Sequence, residues 1–446
     1  MVTVKDLSQQ AVINSLSEVL AIVETNRHKE REYLLDFFEG INTEFYVKRF
    51  FGSESLQQVP IFNQNLTHRV CSLRSQVYRR PPRMRVDEKY YDFIDQEGLI
   101  SSRRQLERLT YLLGTTAFRC RWNEMKQRVE YENLPFFEPL FLPGEREPWG
   151  VMYAIENHGM SKLERPMFAV WTEDRPGKSG MHFLIDQDAK KRSVNEGDVN
   201  PYGVLPILFT HKYQPVRDFY VGGAEDVVSC DLSVSVAMSE LALCVRFGAI
   251  GIKVLSGVDD ASRVEIGVDK ILYIPDGANF GVTAPSGSLR EIVEATKFMV
   301  SATLENNSIR VKYIDSKGNA PSAESLKIQE VESTNLALAT TEDTWRPFEK
   351  KRFEIDRKII EVKTGVVLNP DYSVDFLEAN YPMTTMDEIN YWNWRFENNL
   401  ADAMDFFDYN NPDAPNSQRK EFQARLDAAK QEQQPANRLL SRLTAE

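Results

Sequence analysis

Residues 224–247, from Ala224 to Phe247, read AEDVVSCDLSVSVAMSELALCVRF and follow directly on Gly222-Gly223. The run holds no glycine or proline and carries apolar side chains on more than one side of a helix. This predicts one long helix that must meet neighbours on several faces. The chain offers few other helices of similar length to surround it, so further copies of the chain are a natural source of cover. Asp231, Glu240 and Arg246 interrupt the apolar positions, and on that ground no membrane span is expected here or elsewhere.

Outward from this helix, residues 248–287 are rich in glycine and proline around short strand-like runs, the pattern of a small α/β insertion. Ser288 stands three residues before Glu291, a capping-box spacing, and Ile292, Ala295, Phe298, Met299 and Ala302 follow at helical intervals. A second long helix therefore returns from the insertion. A polar loop at 306–320 precedes a helical pattern that runs from Pro321 to about Lys363, and Pro347 in its interior demands a kink. Beyond it, 366–381 reads as a short strand with turns, and 386–407 and 417–431 read as helices.

On the N-terminal side, helical spacing covers 6–50, 62–78 and 101–113, the last ending at Gly114. From Thr116 the pattern changes to short strands at 118–122, 129–131, 137–142, 151–155, 167–172 and 182–186, with 204–210 closing the block. Arg175-Pro176-Gly177-Lys178-Ser179-Gly180 supplies a hairpin turn between two of them.

A chain of 446 residues, 42% hydrophobic and 27% charged, is expected to fold into two or three structural regions. Lys+Arg 54 against Asp+Glu 66 gives a net charge of -12, the wrong sign for a protein that grips nucleic acid by neutralising phosphates. An acidic wall that surrounds DNA without holding it remains compatible with that balance. Cys71, Cys120, Cys230 and Cys244 form no CxxC pair, which predicts neither a zinc site nor a disulfide framework. The start of the chain lacks the apolar core and cleavage site of a secretion signal.

No GxxxxGK[ST] phosphate loop, HExxH or GxSxG motif occurs, which disfavours most ATPases and hydrolases. The five histidines, His28, His68, His158, His182 and His211, lack metal-ligand spacing, although the many acids leave room for a carboxylate metal site assembled in three dimensions. Arg69, Arg74, Arg79, Arg80, Arg83 and Arg85 form a basic cluster with no acid inside it. A solvated face or intersubunit ion pairs explain it better than DNA contact. Arg310, Lys312 and Lys317 outnumber Asp315 and give the 306–320 loop a modest positive charge suited to transient phosphate contact.

Several stretches, taken in order, resemble the portal family of tailed bacteriophages. They are Pro60-Ile61-Phe62-Asn63 through Arg79-Arg80-Pro81-Pro82, Tyr220-Val221-Gly222-Gly223-Ala224-Glu225-Asp226, and Gly318-Asn319-Ala320-Pro321-Ser322-Ala323-Glu324-Ser325-Leu326. The resemblance implies an α+β, mainly α, portal fold. Its parts would be an N-terminal wing (1–223; helical 1–115, β-rich 116–223), stem helices at 224–249 and 288–306, a clip at 250–287, a tunnel loop at 307–320 carrying Arg310, Lys312 and Lys317, a kinked wing helix and return strand at 321–383, and crown helices with a tail at 384–446.

The function it implies is structural: a ring of twelve subunits at one capsid vertex, a channel for DNA packaging and ejection, and a docking platform. The implied partners are the terminase large subunit, a head–tail adaptor or connector protein, the major capsid and scaffolding proteins, and double-stranded DNA, with no membrane. Assembly would take place in the bacterial cytoplasm, and the final location would be the virion between capsid and tail. No catalytic residue, cofactor or metal is implied. A head–tail adaptor ring and a phage carboxylate-metal nuclease are the competing readings; the insertion between two long helices favours the portal, and the lack of clustered acid and histidine positions disfavours the nuclease.

Overall fold

The computed structural model describes residues 2–20, 26–51, 61–155, 167–186, 188–250, 252–256, 279–283, 289–309, 334–376, 385–411 and 418–428. The N-terminal part contains β1 (Val2–Thr3) and helices α1 (Gln9–Leu20), α2 (Asn26–Glu39), α3 (Thr43–Phe51), α4 (Leu66–Arg74) and α5 (Gln96–Leu113), with β2 (Arg83–Arg85) between the last two. Then follow β3 (Thr115–Asn123), β4 (Arg128–Leu134), β5 (Glu138–Phe141), β6 (Gly150–Ile155), β7 (Met167–Thr172), β8 (His182–Asp186), β9 (Lys191–Ser193) and β10 (Ile207–His211). The long helix α6 (Glu225–Ile250), β11 (Ile252–Ser256), β12 (Asn279–Thr283) and α7 (Leu289–Asn306) come next. The C-terminal part contains α8 (334–340), α9 (Arg346–Thr364), β13 (Ser373–Asp375), α10 (Thr385–Glu397), α11 (Ala403–Asn410) and α12 (418–428).

The fold is mixed α+β. A six-stranded sheet runs β1-β5-β6-β7-β8-β9, antiparallel except for the β1–β5 pair, and a three-stranded antiparallel sheet runs β10-β3-β4. Their strands alternate turn residues with short apolar runs that have room for no helix, as the 116–210 pattern predicts. Helix α1 lays Val12 and Leu16 against Leu140, Trp149 and Phe183 of the larger sheet. The smaller sheet lies against α9, where Phe118 meets Phe348 edge to face at 5.3 Å. A third core gathers Leu34 and Phe37 of α2, Val70 of α4, Leu112 of α5 and Val227 and Val228 of α6. Removing one such fully buried phenylalanine costs about 3–5 kcal/mol.

Helix α5 ends at Gly114, which adopts φ 74°, because the chain turns there directly into β3. The 62–78 segment is shorter than its spacing predicts: α4 stops at Arg74, and a 3₁₀ turn, Val77–Arg79, follows. The carboxylate of Glu107 accepts from the Val77 and Tyr78 amides at 2.8 and 2.9 Å, which gives that turn a cap from α5.

Three expectations need correction. The helix expected over 386–407 is two helices: Asn399 takes a left-handed conformation (φ 54°), and Asp402 and Asp405 form a reciprocal capping box that starts α11. Local cap chemistry therefore overrides an apolar spacing that continues through the break. The disturbance expected at Pro347 falls a turn earlier, where Thr341–Trp345 is a π-helical turn and the Arg346 amide bonds the Thr341 carbonyl. Pro347 follows directly on that π-turn within a continuous run of helical backbone, and the π-turn absorbs the disturbance it introduces. Finally, Glu225–Val245 is long and apolar enough to cross a membrane by length and composition, despite its charges. The first half of that helix is instead embedded in protein, with Val227, Val228 and Asp231 buried.

Candidate functional site

Helices α6 and α7 run antiparallel as a hairpin, joined at the far end by the antiparallel pair β11–β12, in which Ile252 faces Thr283 and Ser256 faces Asn279. At about 1.5 Å per residue, α6 spans roughly 39 Å. Its root is fixed by backbone. The Ala224 amide donates to the Leu112 carbonyl at 2.9 Å, and the Lys212 amide to the Gly114 carbonyl at 2.7 Å. A Cβ at Gly223 would stand 2.0 Å from the Leu112 carbonyl oxygen, and one at Gly114 2.0 Å from that of Val221. Only glycine permits the chain leaving the sheet to cross the end of α5 this closely.

Polar side chains lock the same root. Asn307, just past the end of α7, donates to the Asp226 carboxylate at 2.8 Å and accepts from the Tyr111 hydroxyl. The buried Asp231 accepts from the amide and hydroxyl of Thr67, both at 2.8 Å. It thereby caps α4, whose own N-cap residue, Asn65, is left-handed and makes no side-chain cap bond. Lys212 lies over the Tyr111 ring at 4.5 Å and donates to the Gly223 carbonyl; burial pulls its amine below the usual lysine range.

Away from the root the cover runs out. No residue of α7 is buried, Phe298 is 74% exposed, and Leu289 and Met299 are exposed as well. On α6, Ser239 still receives the Phe62 amide at 3.3 Å, whereas Val245 is 54% exposed. The helix expected to need neighbours on several sides thus has them at its root, is half-buried from Leu241 to Cys244 and is exposed at Val245.

A second locked region lies on α9. Glu349, Arg352 and Asp356, at three- and four-residue spacing, are fully buried with Arg103 of α5. Glu349 pairs with both arginines and accepts from the hydroxyls of Tyr78 at 2.8 Å and Tyr372 at 3.0 Å. Asp356 pairs with Arg352 and accepts from Tyr90 at 2.6 Å and Tyr131 at 2.8 Å. Burial pushes the Glu349 carboxyl up, but Arg103 and Arg352 pull it down to about 2. At Asp356 burial wins over Arg352 and the hydroxyl donors, and its pKa is raised. Two cations balance two carboxylates in this dry network, which suits it to fixing α9 and gives a substrate no access. The sequence shows these residues only as the charged spacing of an ordinary solvated helix face; the sole signal is the tyrosines scattered through 78–131.

The remaining candidates are dispersed. His182 stacks on Trp171 at 3.5 Å, and burial with Arg119 lowers it to about 4; burial alone lowers His211 to about 4. His28 lies 3.5 Å from Glu138 and His68 beside Phe38, while His158 is outside the described residues. Cys71, Cys120 and Cys230 are buried and Cys244 is half-buried. Among the described residues no group of three or more His, Cys, Asp or Glu side chains could hold a metal.

The basic cluster is divided between α4, the 3₁₀ turn and β2: Arg74 lies over the Tyr111 ring at 5.5 Å and Arg83 is 3.6 Å from Asp408, while Arg69 is exposed. A cleft of about 1070 Å³ between α9 and the 142–148 and 211–219 loops mixes cations such as Arg217 and Lys351 with acids such as Asp218 and Glu354. Arg310, Lys312 and Lys317 lie outside the described residues, as does most of the 250–287 insertion; only the strands β11 and β12 of the latter are described.

No family model and no curated protein matches the chain. It is structurally similar to a solved structure of the neck of a native gene transfer agent (GTA) particle computed with C12 symmetry, at 12% identity and a TM-score of 0.39, over 79% of this chain and 91% of that one. It is also similar to a neck of an empty GTA particle computed with C6 symmetry (13% identity, TM-score 0.38, 79% and 92% coverage). A third similar structure is an HK97-family phage portal protein from Corynebacterium diphtheriae (10% identity, TM-score 0.28, 63% and 84% coverage).

Proposed function

We propose that the chain is a portal subunit, a structural protein that forms a ring at one capsid vertex and through which DNA passes during packaging and ejection. The observation that carries this reading is the α6–α7 hairpin. Its root is immobilised by glycine crossings and buried hydrogen bonds, while α7 buries no residue and leaves Phe298 exposed, as α6 leaves Val245. A rigid apolar spoke of this kind is stable in water once equivalent spokes pack beside it, and closed rotational symmetry provides such neighbours without leaving a free end. A ring of about twelve copies follows from the family resemblance of the sequence.

In this reading α6 and α7 are stem helices, and the insertion they carry is a clip that docks the terminase large subunit and later the head–tail adaptor. The 307–320 segment is a tunnel loop, and the region after 384 is a crown. The β11–β12 pair between two long helices favours a portal over an adaptor ring. The net charge of -12 keeps DNA from adhering to the channel wall, while a ring of Arg310, Lys312 and Lys317 steadies it. Capsid and scaffolding proteins would contact the wing during assembly.

Negative-stain imaging of the purified chain tests the ring directly: axial views with rotational symmetry are expected, and a stable monomer in the presence of scaffolding protein refutes it. The loop is tested separately by changing Arg310, Lys312 and Lys317 to Gln. Rings should persist while heads retain less packaged DNA, most visibly at low salt; unchanged retention removes the loop from DNA handling.

A further inference from the structure

Two surfaces, one on α3 and α4, which pack on α6, and one on α10 and α11, combine exposed apolar groups with charges of opposite sign. On the first, Phe45 and Arg49 stand four residues apart on α3, with Phe50 beside them; Phe45 is 66% and Phe50 65% exposed, and Glu44, the acid of that helix, is paired with Lys48. Arg69 and Leu73 repeat that pairing of a cation with an apolar group on α4, again four residues apart and both exposed. Residues at this spacing share a helix face. The second surface is the α10–α11 pair. A small aromatic core forms around Trp392, which touches Phe396, Phe406 and Tyr409, and its outer side exposes Met386, Ile389, Trp394 (55%) and Leu400. The charges exposed on that side are Glu397, Asp402 and Asp405.

We infer that these surfaces bind each other between copies of the chain: the cationic α3–α4 face of one subunit seats the acidic α10–α11 face of the next. The inference rests on the ring reading and adds a contact to it outside the stem. Two different faces that complement each other make a head-to-tail interface, which generates closed rings or open filaments and never an isolated symmetric dimer. Aromatic groups at the centre with arginine and carboxylates at the rim match the usual anatomy of a specific interface. Each face alone would repel its own copy through its like charges, so the same residues that favour the head-to-tail pairing exclude the face-to-itself one. The α10–α11 pair is held for this role: Asp408 takes two bonds from Arg419 and lies 3.6 Å from Arg83, and Lys420 bonds Glu88 at 2.8 Å.

Mass photometry of the full chain tests this with one variant carrying Phe45→Ser and Arg49→Glu and another carrying Trp394→Ser and Glu397→Lys. Each is expected to lower the ring population at least about tenfold. Mixed in equal amounts, the two should form mixed assemblies that neither forms alone, since the intact face of each can still pair with that of the other. Normal rings from both variants overturn this contact and leave the ring reading standing, whereas a wild-type chain that stays monomeric overturns both. Absence of mixed assemblies in the mixture overturns the head-to-tail pairing. Should either variant fail to fold by circular dichroism, Arg49→Glu and Glu397→Lys are made singly and together: each alone should weaken the ring and the pair in one chain should restore it, and no restoration overturns the proposal.

Discussion

Helices α6 and α9 invert the usual relation between hydropathy and burial. The apolar helix α6 is only half-buried from Leu241 to Cys244 and exposed at Val245, and its partner α7 has no buried residue. The highly charged helix α9 buries Glu349, Arg352 and Asp356 completely. The difference lies in what each helix finds opposite it. Charges on α9 meet compensating charges and tyrosine hydroxyls brought from α5, β4 and the 78–91 segment, so their desolvation is offset within one chain. Val245 of α6 and the apolar groups of α7 find no full cover among the described residues. One helix is thus a completed interior and the other an interior that a neighbour completes.

The strongest way to break the contrast is to unbalance the clamp. Glu349→Gln leaves Arg103 and Arg352 short of a buried counter-charge and should cost about 3–5 kcal/mol, read as a fall in thermal midpoint of the unassembled chain. A change of a few tenths would mean that the network contributes little to holding α9. Next in size is Gly223→Ala at the root of α6, which drives a methyl group toward the Leu112 carbonyl and should cost about 1–3 kcal/mol. Limited proteolysis should then release the stem hairpin earlier than the wing.

Acidity separates the two regions further. His182 and His211 are held neutral, with pKa lowered to about 4, so the unfolded chain binds more protons than the folded one between 6.5 and 4, and stability declines as pH falls through that window. Glu349, pulled down to about 2, adds a loss between 4.5 and 2. Glu107 acts in the opposite sense: burial lifts it to about 7, so its protonation between 7 and 4.5 favours the fold. Denaturant melts of Glu107→Gln should therefore show a steeper loss of stability from pH 7 to 4.5 than the wild type; an unchanged slope refutes the assignment. The smallest effect on the single chain is expected at the stem. Phe298→Ser should alter monomer stability by no more than about 0.5 kcal/mol, yet it should abolish rings in mass photometry. A large loss of monomer stability would place Phe298 in an interior rather than an interface.

Short-range chemistry made much of this architecture legible in the sequence. The left-handed glycine after α5 and the apolar runs of β3 to β8 act through neighbours within a few residues, where sterics and hydrogen bonding leave few choices. Pro347 signalled a disturbed helix but not that a π-helical turn one turn earlier would absorb it. The apolar spacing of 386–407 concealed a break because the Asp402–Asp405 capping box outweighs it.

Only the tertiary structure decided which charges became interior. Arg103 and Glu349 are 246 positions apart, and Tyr90 and Asp356 are 266 apart. Nothing in the local pattern of α9 distinguishes the carboxylates that face tyrosines from those that face water, because the penalty for burying a charge depends on partners delivered by the fold. The sequence by itself determined that 224–247 is a helix with too much apolar surface for a polar face to shield. The tertiary structure decided that its own chain buries Ala224, Val227 and Val228 against α2, α4 and α5 but leaves Val245 and all of α7 without full cover.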